Sequence, residues 1–142
     1  GSSPLWTSSA LQELSHEMTS IFKVGLASDL GQMRSIREKF DGSKIYELSR
    51  ESPALIIWTE IFWVKPGDIV KLLIQRPDGR LIVDKDNIVE KRQARRIIYS
   101  GKKRSEDLWM PGKYLGKVII ERTETDGRLL RITAKSSIEV VD

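Results

Sequence analysis

The sequence predicts an all-β fold, an antiparallel sandwich of about seven strands with an irregular or short-helical N-terminal region. Three observations predict it. Apolar segments of strand length recur through the C-terminal two thirds, turn sequences built on Pro and Gly separate them, and the second half has no helical periodicity. Such a pattern favours two stacked antiparallel sheets over an α/β arrangement, with a small closed barrel as the alternative.

The length of 142 residues indicates one domain, which we place at residues 18–142 after a tail of residues 1–17. A hydrophobic fraction of 39% with 31% charged residues is typical of a soluble globular chain. No segment is long and apolar enough for a membrane span. Gly1, Ser2 and Ser3 look like an expression-tag remnant, so a native leader could have been removed.

The N-terminal third carries the weakest pattern. A first strand is predicted from Thr19 to Leu26, where β-branched and apolar residues alternate with polar ones. Residues 27–52 are predicted to form an irregular insertion, in which SIREKF allows one or two helical turns and DGSKIYELSRESP is a turn and loop. Ile45 and Leu48 could still pack this insertion on the core.

The central strand is predicted at ALIIWTEIFWV, residues 54–64. Its odd- and even-numbered positions are both mainly apolar, so both faces of the strand are expected to be covered. A KPGD turn follows, and IVKLLIQR then alternates as a half-buried strand. After the PDG turn at 77–79, the short strand RLIV completes a hairpin that ends at the polar DKDN.

The C-terminal third predicts three more strands. ARRIIYS, from Ala94 to Ser100, is a short strand before a loop from Gly101 to Gly112. KYLGKVIIER, residues 113–122, and RLLRITAKSSIEVV form a final hairpin around the TDG turn.

Residue composition excludes several chemistries. Without cysteine there is no disulfide, thiolate zinc site or cysteine nucleophile, and His16 in HEMTS lacks the second histidine of a zinc-peptidase helix. DKDN resembles the start of a calcium loop, but Arg95 stands where the bidentate Glu belongs. We therefore predict no catalytic residue, metal or cofactor. A hydrolase using Glu60 and Asp107 as unrecognised carboxylates is kept as an alternative.

Most of the net charge of +4 comes from the basic segment KRQARRIIYSGKKR, residues 91–104. Strand alternation places its cations near the loops at the two ends of the strand, so they do not line a single groove. With a nearby aromatic residue it could bind an anionic glycan or nucleic acid. The other interpretation is a solvated edge strand that its own charge protects from pairing with other chains. The candidate patch comprises Arg92, Arg95, Arg96, Lys102, Lys103, Arg104 and Trp109.

The four tryptophans do not predict a shared sugar-binding platform. Trp58 and Trp63 are an odd number of residues apart, so on a regular strand they face opposite sides. Trp109, beside Met110 and Pro111, either caps the open end of the sandwich or is an exposed contact residue.

The chain from Ser52 to Val141 resembles the immunoglobulin-like accessory domain that follows the catalytic module in lysostaphin-type (murein) zinc metallopeptidases of bacteria. The resemblance rests on SPALIIWTEIFWVKPGDIVKLLIQRPDG, QARRIIYSGKKR and LWMPGKYLGKVII. None of the zinc ligands of that family has a counterpart here, so the resemblance implies an auxiliary role. The positions that it implies to be structural are Pro66, Gly67, Asp68, Pro77, Asp78, Gly79, Pro111, Gly112 and Tyr114.

Together these observations predict a non-catalytic accessory or interaction module of a bacterial envelope or secreted protein, periplasmic or secreted, and attached to a peptidoglycan peptidase. Its partner would be another protein or the catalytic domain of the parent chain. The alternative is a stand-alone binder of an anionic polymer, glycan or nucleic acid, through residues 91–104. The interaction surface is predicted at the loop from Gly101 to Trp109, and Tyr114 is predicted to anchor the fold with a buried ring and a hydrogen-bonded hydroxyl.

Overall fold

A computed structural model describes residues 18–39, 46–105 and 107–142, without the side chains of residues 35–39. These ranges contain eight strands and one helix: β1 Ser20–Ala27, α1 Leu30–Lys39, β2 Tyr46–Ser49, β3 Ala54–Val64, β4 Ile69–Gln75, β5 Leu81–Ile88, β6 Gln93–Lys103, β7 Gly112–Thr123 and β8 Leu129–Val141. One sheet has the order β1-β3-β6, and the other has the order β2-β8-β7-β4-β5.

The two sheets pack face to face around one apolar core, which confirms the predicted β-sandwich. Strand alternation places the core residues. In β4, for example, Val70, Leu72 and Ile74 are fully buried, while the residues between them lie on the half-buried outer face. Tyr114, Val118 and Ile120 of β7 enter the same core, as their shared parity predicts.

The central strand β3 is buried on both faces, as predicted. Its inner side chains join the core, whereas Trp58, also fully buried, lies on the outer face against Met33 of α1. The Trp58 ring covers Gly25 of β1, where a Cβ atom would lie 2.5 Å from the ring. Asp29 caps α1 by accepting a hydrogen bond from the Gln32 backbone N–H at 2.7 Å.

The predicted irregular segment 27–52 is more regular than the sequence indicated. It contains the ten-residue helix α1, and β2 replaces part of the predicted loop. β2 pairs in parallel with Ile138–Val141 of β8, so the sheet is not antiparallel throughout. Leu48 of β2 is buried in the core, as expected. Ile45, His16 and the tail of residues 1–17 lie outside the described residues.

Two strands are also longer than the sequence predicted. β5 continues through Asp84–Asn87, so the segment that resembles a calcium loop is a strand with outward-facing acids. β6 continues to Lys103, and the following loop begins at Arg104 and not at Gly101. In both cases backbone pairing with a neighbouring strand overrides the low strand propensity of Asp, Asn, Gly and Lys.

The strand directions define two ends of the sandwich. The Trp109 end holds the loops at residues 50–53, 76–80 and 104–111, and the Asp68 end holds the loops at residues 65–68, 89–92 and 124–128. Within the described ranges, no helix is both long and apolar enough to cross a membrane.

Candidate binding surface

The structure divides the basic segment between the two ends of β6. β6 runs antiparallel to β3, so Gln93 pairs with Val64 near the Asp68 end, and Lys103 pairs with Ala54 near the Trp109 end. At about 3.3 Å per residue, Arg96 and Lys102 lie roughly 20 Å apart along the strand. The seven residues of the predicted patch therefore form two groups, as strand alternation indicated, and not one surface.

The group at the Asp68 end is partly neutralised. It borders an open hollow of about 630 Å³ lined by Ile88, Glu90, Lys91, Gln93, Arg95, Arg96 and Ile97. The Nε atom of Arg95 donates a hydrogen bond at 2.6 Å to Glu60, a carboxylate that is only 4% exposed. Arg92 is exposed in the turn beside the hollow. Glu90 also lines this hollow, so two acids accompany the cations of this half, and Arg95 is paired with one of them.

The group at the Trp109 end borders a smaller cleft of about 150 Å³, which we call the Trp109 cleft. Its lining residues are Arg76, Ile82, Lys102, Lys103, Arg104, Ser105, Asp107, Leu108, Trp109, Met110 and Tyr114. Lys102 and Lys103 are exposed, and Arg104 is half-buried. None of these three cations forms an ion pair with a carboxylate of the described residues. The Trp109 cleft therefore has three cations at its rim and one acid, Asp107, that forms no ion pair with them.

Trp109 forms part of the wall of this cleft and is not an exposed stacking surface. The residue is only 8% exposed, and its indole Nε1 donates a hydrogen bond at 2.8 Å to the carbonyl of Ser52. Its backbone N–H donates to the Arg50 carbonyl, and Arg50 Nε donates back to the Trp109 carbonyl. The sequence allowed Trp109 to be either a cap or an exposed contact residue. In the structure it caps the open end of the core.

The PDG and PGKY motifs meet at this same end. Gly112 has a φ of +128°, and a Cβ atom there would lie 2.9 Å from the Pro77 ring. Tyr114 is 1% exposed and its hydroxyl donates a hydrogen bond at 2.8 Å to the Met110 carbonyl, as predicted, and burial raises the pKa of its phenol. Hydrogen bonds from Arg76 hold the pKa of Asp78 at about 2. These residues frame the cleft.

The PGD motif builds the opposite end. Gly67 has a φ of +93°, as the predicted turn requires, and Asp68 is 1% exposed. Asp68 Oδ2 accepts a hydrogen bond from the Lys65 N–H, and Arg122 binds both carboxylate oxygens. This pairing raises the pKa of Arg122. Arg122 was not predicted from the sequence, although a cation on the same strand face as Tyr114 and Ile120 signals a buried partner.

The carboxylates of the hydrolase alternative are not brought together. Glu60 lies on the outer face of its sheet, in register with Ile97 and bonded to Arg95. Asp107 lines the Trp109 cleft, beyond Lys103. The six residues from Ile97 to Lys103 correspond to roughly 20 Å, whereas a glycosidase pair lies within about 10 Å. Among the described side chains, no group of three or more His, Cys, Asp or Glu residues could hold a metal ion.

Comparison with protein-family models and with curated proteins gives no match. Among solved structures, the chain is similar to the crystal structure of the C-terminal domain of wzt, with a TM-score of 0.50 and 12% sequence identity. The alignment covers 87% of this chain and 74% of that chain. At this identity the similarity concerns the fold, which is a β-sandwich in both.

Proposed function

We propose that this domain is a non-catalytic interaction module that binds an acidic partner at the Trp109 cleft. The observation that carries the proposal is a group of three cations, Lys102, Lys103 and Arg104, beside a concave opening that hydrogen bonds frame. None of the three pairs with a carboxylate of the described residues. Charge of one sign at the rim of a cleft attracts and orients a partner of the opposite sign.

Hydrogen bonds hold the frame on both sides of the cations. The Arg104 N–H donates at 2.9 Å to the Pro53 carbonyl, directly after the end of β6. Trp109 is bonded to Ser52, and Tyr114 to Met110. A surface whose backbone is ordered before binding loses less conformational entropy when the partner arrives. Arg76 contributes less attraction, because Asp78 already neutralises it.

The module would belong to a larger bacterial envelope or secreted protein, and its partner would be another domain of that protein or a separate protein. One support is the likeness in fold to a domain that is itself the C-terminal part of a longer protein. Attachment to a peptidoglycan peptidase and a periplasmic or secreted location rest on the sequence resemblance alone.

The second candidate function is binding of an anionic polymer, a glycan or a nucleic acid. The observation that favours it is the other group of cations, Lys91, Arg92 and Arg96, at the far end of β6. A polymer could follow β6 and contact both groups across the roughly 20 Å between them.

Two variants of equal charge separate these functions. One changes Lys102, Lys103 and Arg104 to Ser, and its matched control changes Lys91, Arg92 and Arg96 to Ser. For a short oligoglutamate peptide as probe, we expect affinity to fall by roughly tenfold in the first variant and by less than about twofold in the control. Undiminished and equally salt-sensitive binding by the first variant would remove the Trp109 cleft from the proposed function.

A heparin oligosaccharide tests the polymer alternative with the same proteins. Polymer binding along β6 would be favoured by two results together. Heparin binding should persist near 0.15 M salt, where the Debye length is about 8 Å, and it should weaken equally in both variants. Heparin binding lost at that salt, with oligoglutamate binding dependent on the cleft, favours the interaction module.

A further inference from the structure

A second concave surface lies on the outer face of the five-stranded sheet. It is a hollow of about 390 Å³, whose lining includes Lys117, Lys135 and an apolar wall formed by Leu73, Leu81 and Leu115. It shares no lining residue with the Trp109 cleft. Its volume is within the range of small-ligand sites, roughly 300–1,000 Å³.

The two lysines are an exception in the charge pattern of this face. Charged side chains of β7 and β8 face one another in register at three positions. Two positions have opposite charges, Lys113 with Glu139 and Glu121 with Arg131. Between them, Lys117 lies directly opposite Lys135. Like charges placed opposite each other destabilise an antiparallel pair, so this position has an electrostatic cost that its neighbours avoid.

No nearby acid of the described residues compensates the pair. Neither lysine forms an ion pair with a described carboxylate. The nearest acid on the same strand, Glu121, is already bound by Arg131 at 2.6 Å and by Lys71 at 3.4 Å. Asp84 pairs with Leu73, which in turn pairs with Lys117, so the backbones of Asp84 and Lys117 are two strands or about 10 Å apart. Positive charge therefore remains uncompensated beside the apolar wall.

We propose that this hollow binds a small organic carboxylate with a compact apolar body. The carboxylate would lie between the ammonium groups of Lys117 and Lys135 and accept a charge-assisted hydrogen bond from each. The apolar body would cover the exposed parts of Leu81 and Leu115, which are 49% and 40% exposed in the free domain. A small acid can enter this concave hollow, whereas a flat surface of a protein partner cannot.

The test uses cyclohexanecarboxylate as the probe, titrated into isotope-labelled protein and followed by amide NMR. We expect saturable shifts at Gly79, Leu115 and Gly116, and weaker binding of the uncharged analogue cyclohexanecarboxamide. A variant with Lys117→Gln and Lys135→Gln should lose roughly tenfold in affinity, because two charge-assisted hydrogen bonds are removed. Lys113→Gln, on the same strand but opposite Glu139, is the control and should change affinity less than about twofold.

Several outcomes would overturn the proposal. They are the absence of shifts in the hollow, equal binding of acid and amide, undiminished binding by the double variant, and shifts in the hollow from oligoglutamate but not from the small acid. The substitutions leave the core intact, since Lys135 is exposed and Lys117 half-buried on the outer face, and unchanged spectral dispersion verifies folding. Failure here would leave the Trp109 cleft untouched, because its residues are different.

Discussion

Arg122 Nε and Nη2 donate hydrogen bonds to the two carboxylate oxygens of Asp68, both at 2.7 Å. Asp68 has a side-chain exposure of 1% and Arg122 of 18%, so the pair is largely shielded from water. Arg122 also contacts the Thr19 hydroxyl, which donates a hydrogen bond at 2.6 Å to the Trp63 carbonyl. One ion pair thus links the ends of β3 and β7 with the starts of β1 and β4.

Arg122→Ala should destabilise the domain by about 3 kcal/mol, because it leaves the buried Asp68 carboxylate without its cation. Urea unfolding measures the change. Arg131→Ala is the matched control, since the Arg131 side chain is 58% exposed and Lys71 remains beside Glu121, and it should cost no more than about 1 kcal/mol. Equal costs for the two variants would show that the Asp68 pair has no special structural role.

Trp109→Ala should lower the free energy of unfolding by about 3–5 kcal/mol, as expected for a large side chain packed in the core. Trp109→Phe should cost less, since it retains a ring but loses the hydrogen bond to the Ser52 carbonyl. Denaturant unfolding of the two variants tests this. Unchanged stability together with lost oligoglutamate binding would mean that Trp109 is a contact residue after all.

Asp78 gives the Trp109 end a dependence on acid pH. Its pKa is lowered from 3.8 to about 2, mainly by the Arg76 hydrogen bond. A depressed pKa contributes stability that is complete above the unfolded value and is lost as pH falls from about 4 to about 2. An NMR titration of Asp78 should show a midpoint near 2, and Arg76→Gln should move it upward. A midpoint near 4 in the unsubstituted protein contradicts the assignment.

Lys117→Glu should stabilise the domain by about 0.2–1 kcal/mol, because it converts the like-charge pair with Lys135 into an opposite-charge pair. Thermal unfolding at low ionic strength measures the gain. The same substitution should abolish binding of cyclohexanecarboxylate, so stability and binding change in opposite directions. A loss of stability on Lys117→Glu would show that the pair carries no electrostatic cost.

Strand alternation in the sequence was sufficient to predict the sandwich. Inward residues such as Leu72 and Tyr114 were assigned correctly, because side chains of a pleated strand alternate between faces regardless of their partners. β2 was missed because its four residues are specified by parallel pairing with β8, about 90 positions later, and not by local pattern. The overlap of β5 with DKDN was missed because pairing with β4 extends the strand through Asp and Asn, which have low strand propensity.

The arrangement of the candidate site was predicted only in part. Alternation correctly indicated that the cations of residues 91–104 would separate into two groups. Neighbours determine which group is neutralised, and the sequence does not show that Glu60 lies beside Arg95 while Lys102 has no described acidic partner. Nor does it show that Lys117 and Lys135 face each other, because that relationship depends on the register of β7 against β8.

The most direct test of the proposed function is an amide NMR map of the isotope-labelled domain titrated with oligoglutamate. We predict that the largest shifts fall on residues 102–105 and 107–110, including the Trp109 indole N–H, and that they diminish when Lys102, Lys103 and Arg104 are changed to Ser. Shifts centred on residues 91–96, or no saturable shifts at the Trp109 end, would contradict it.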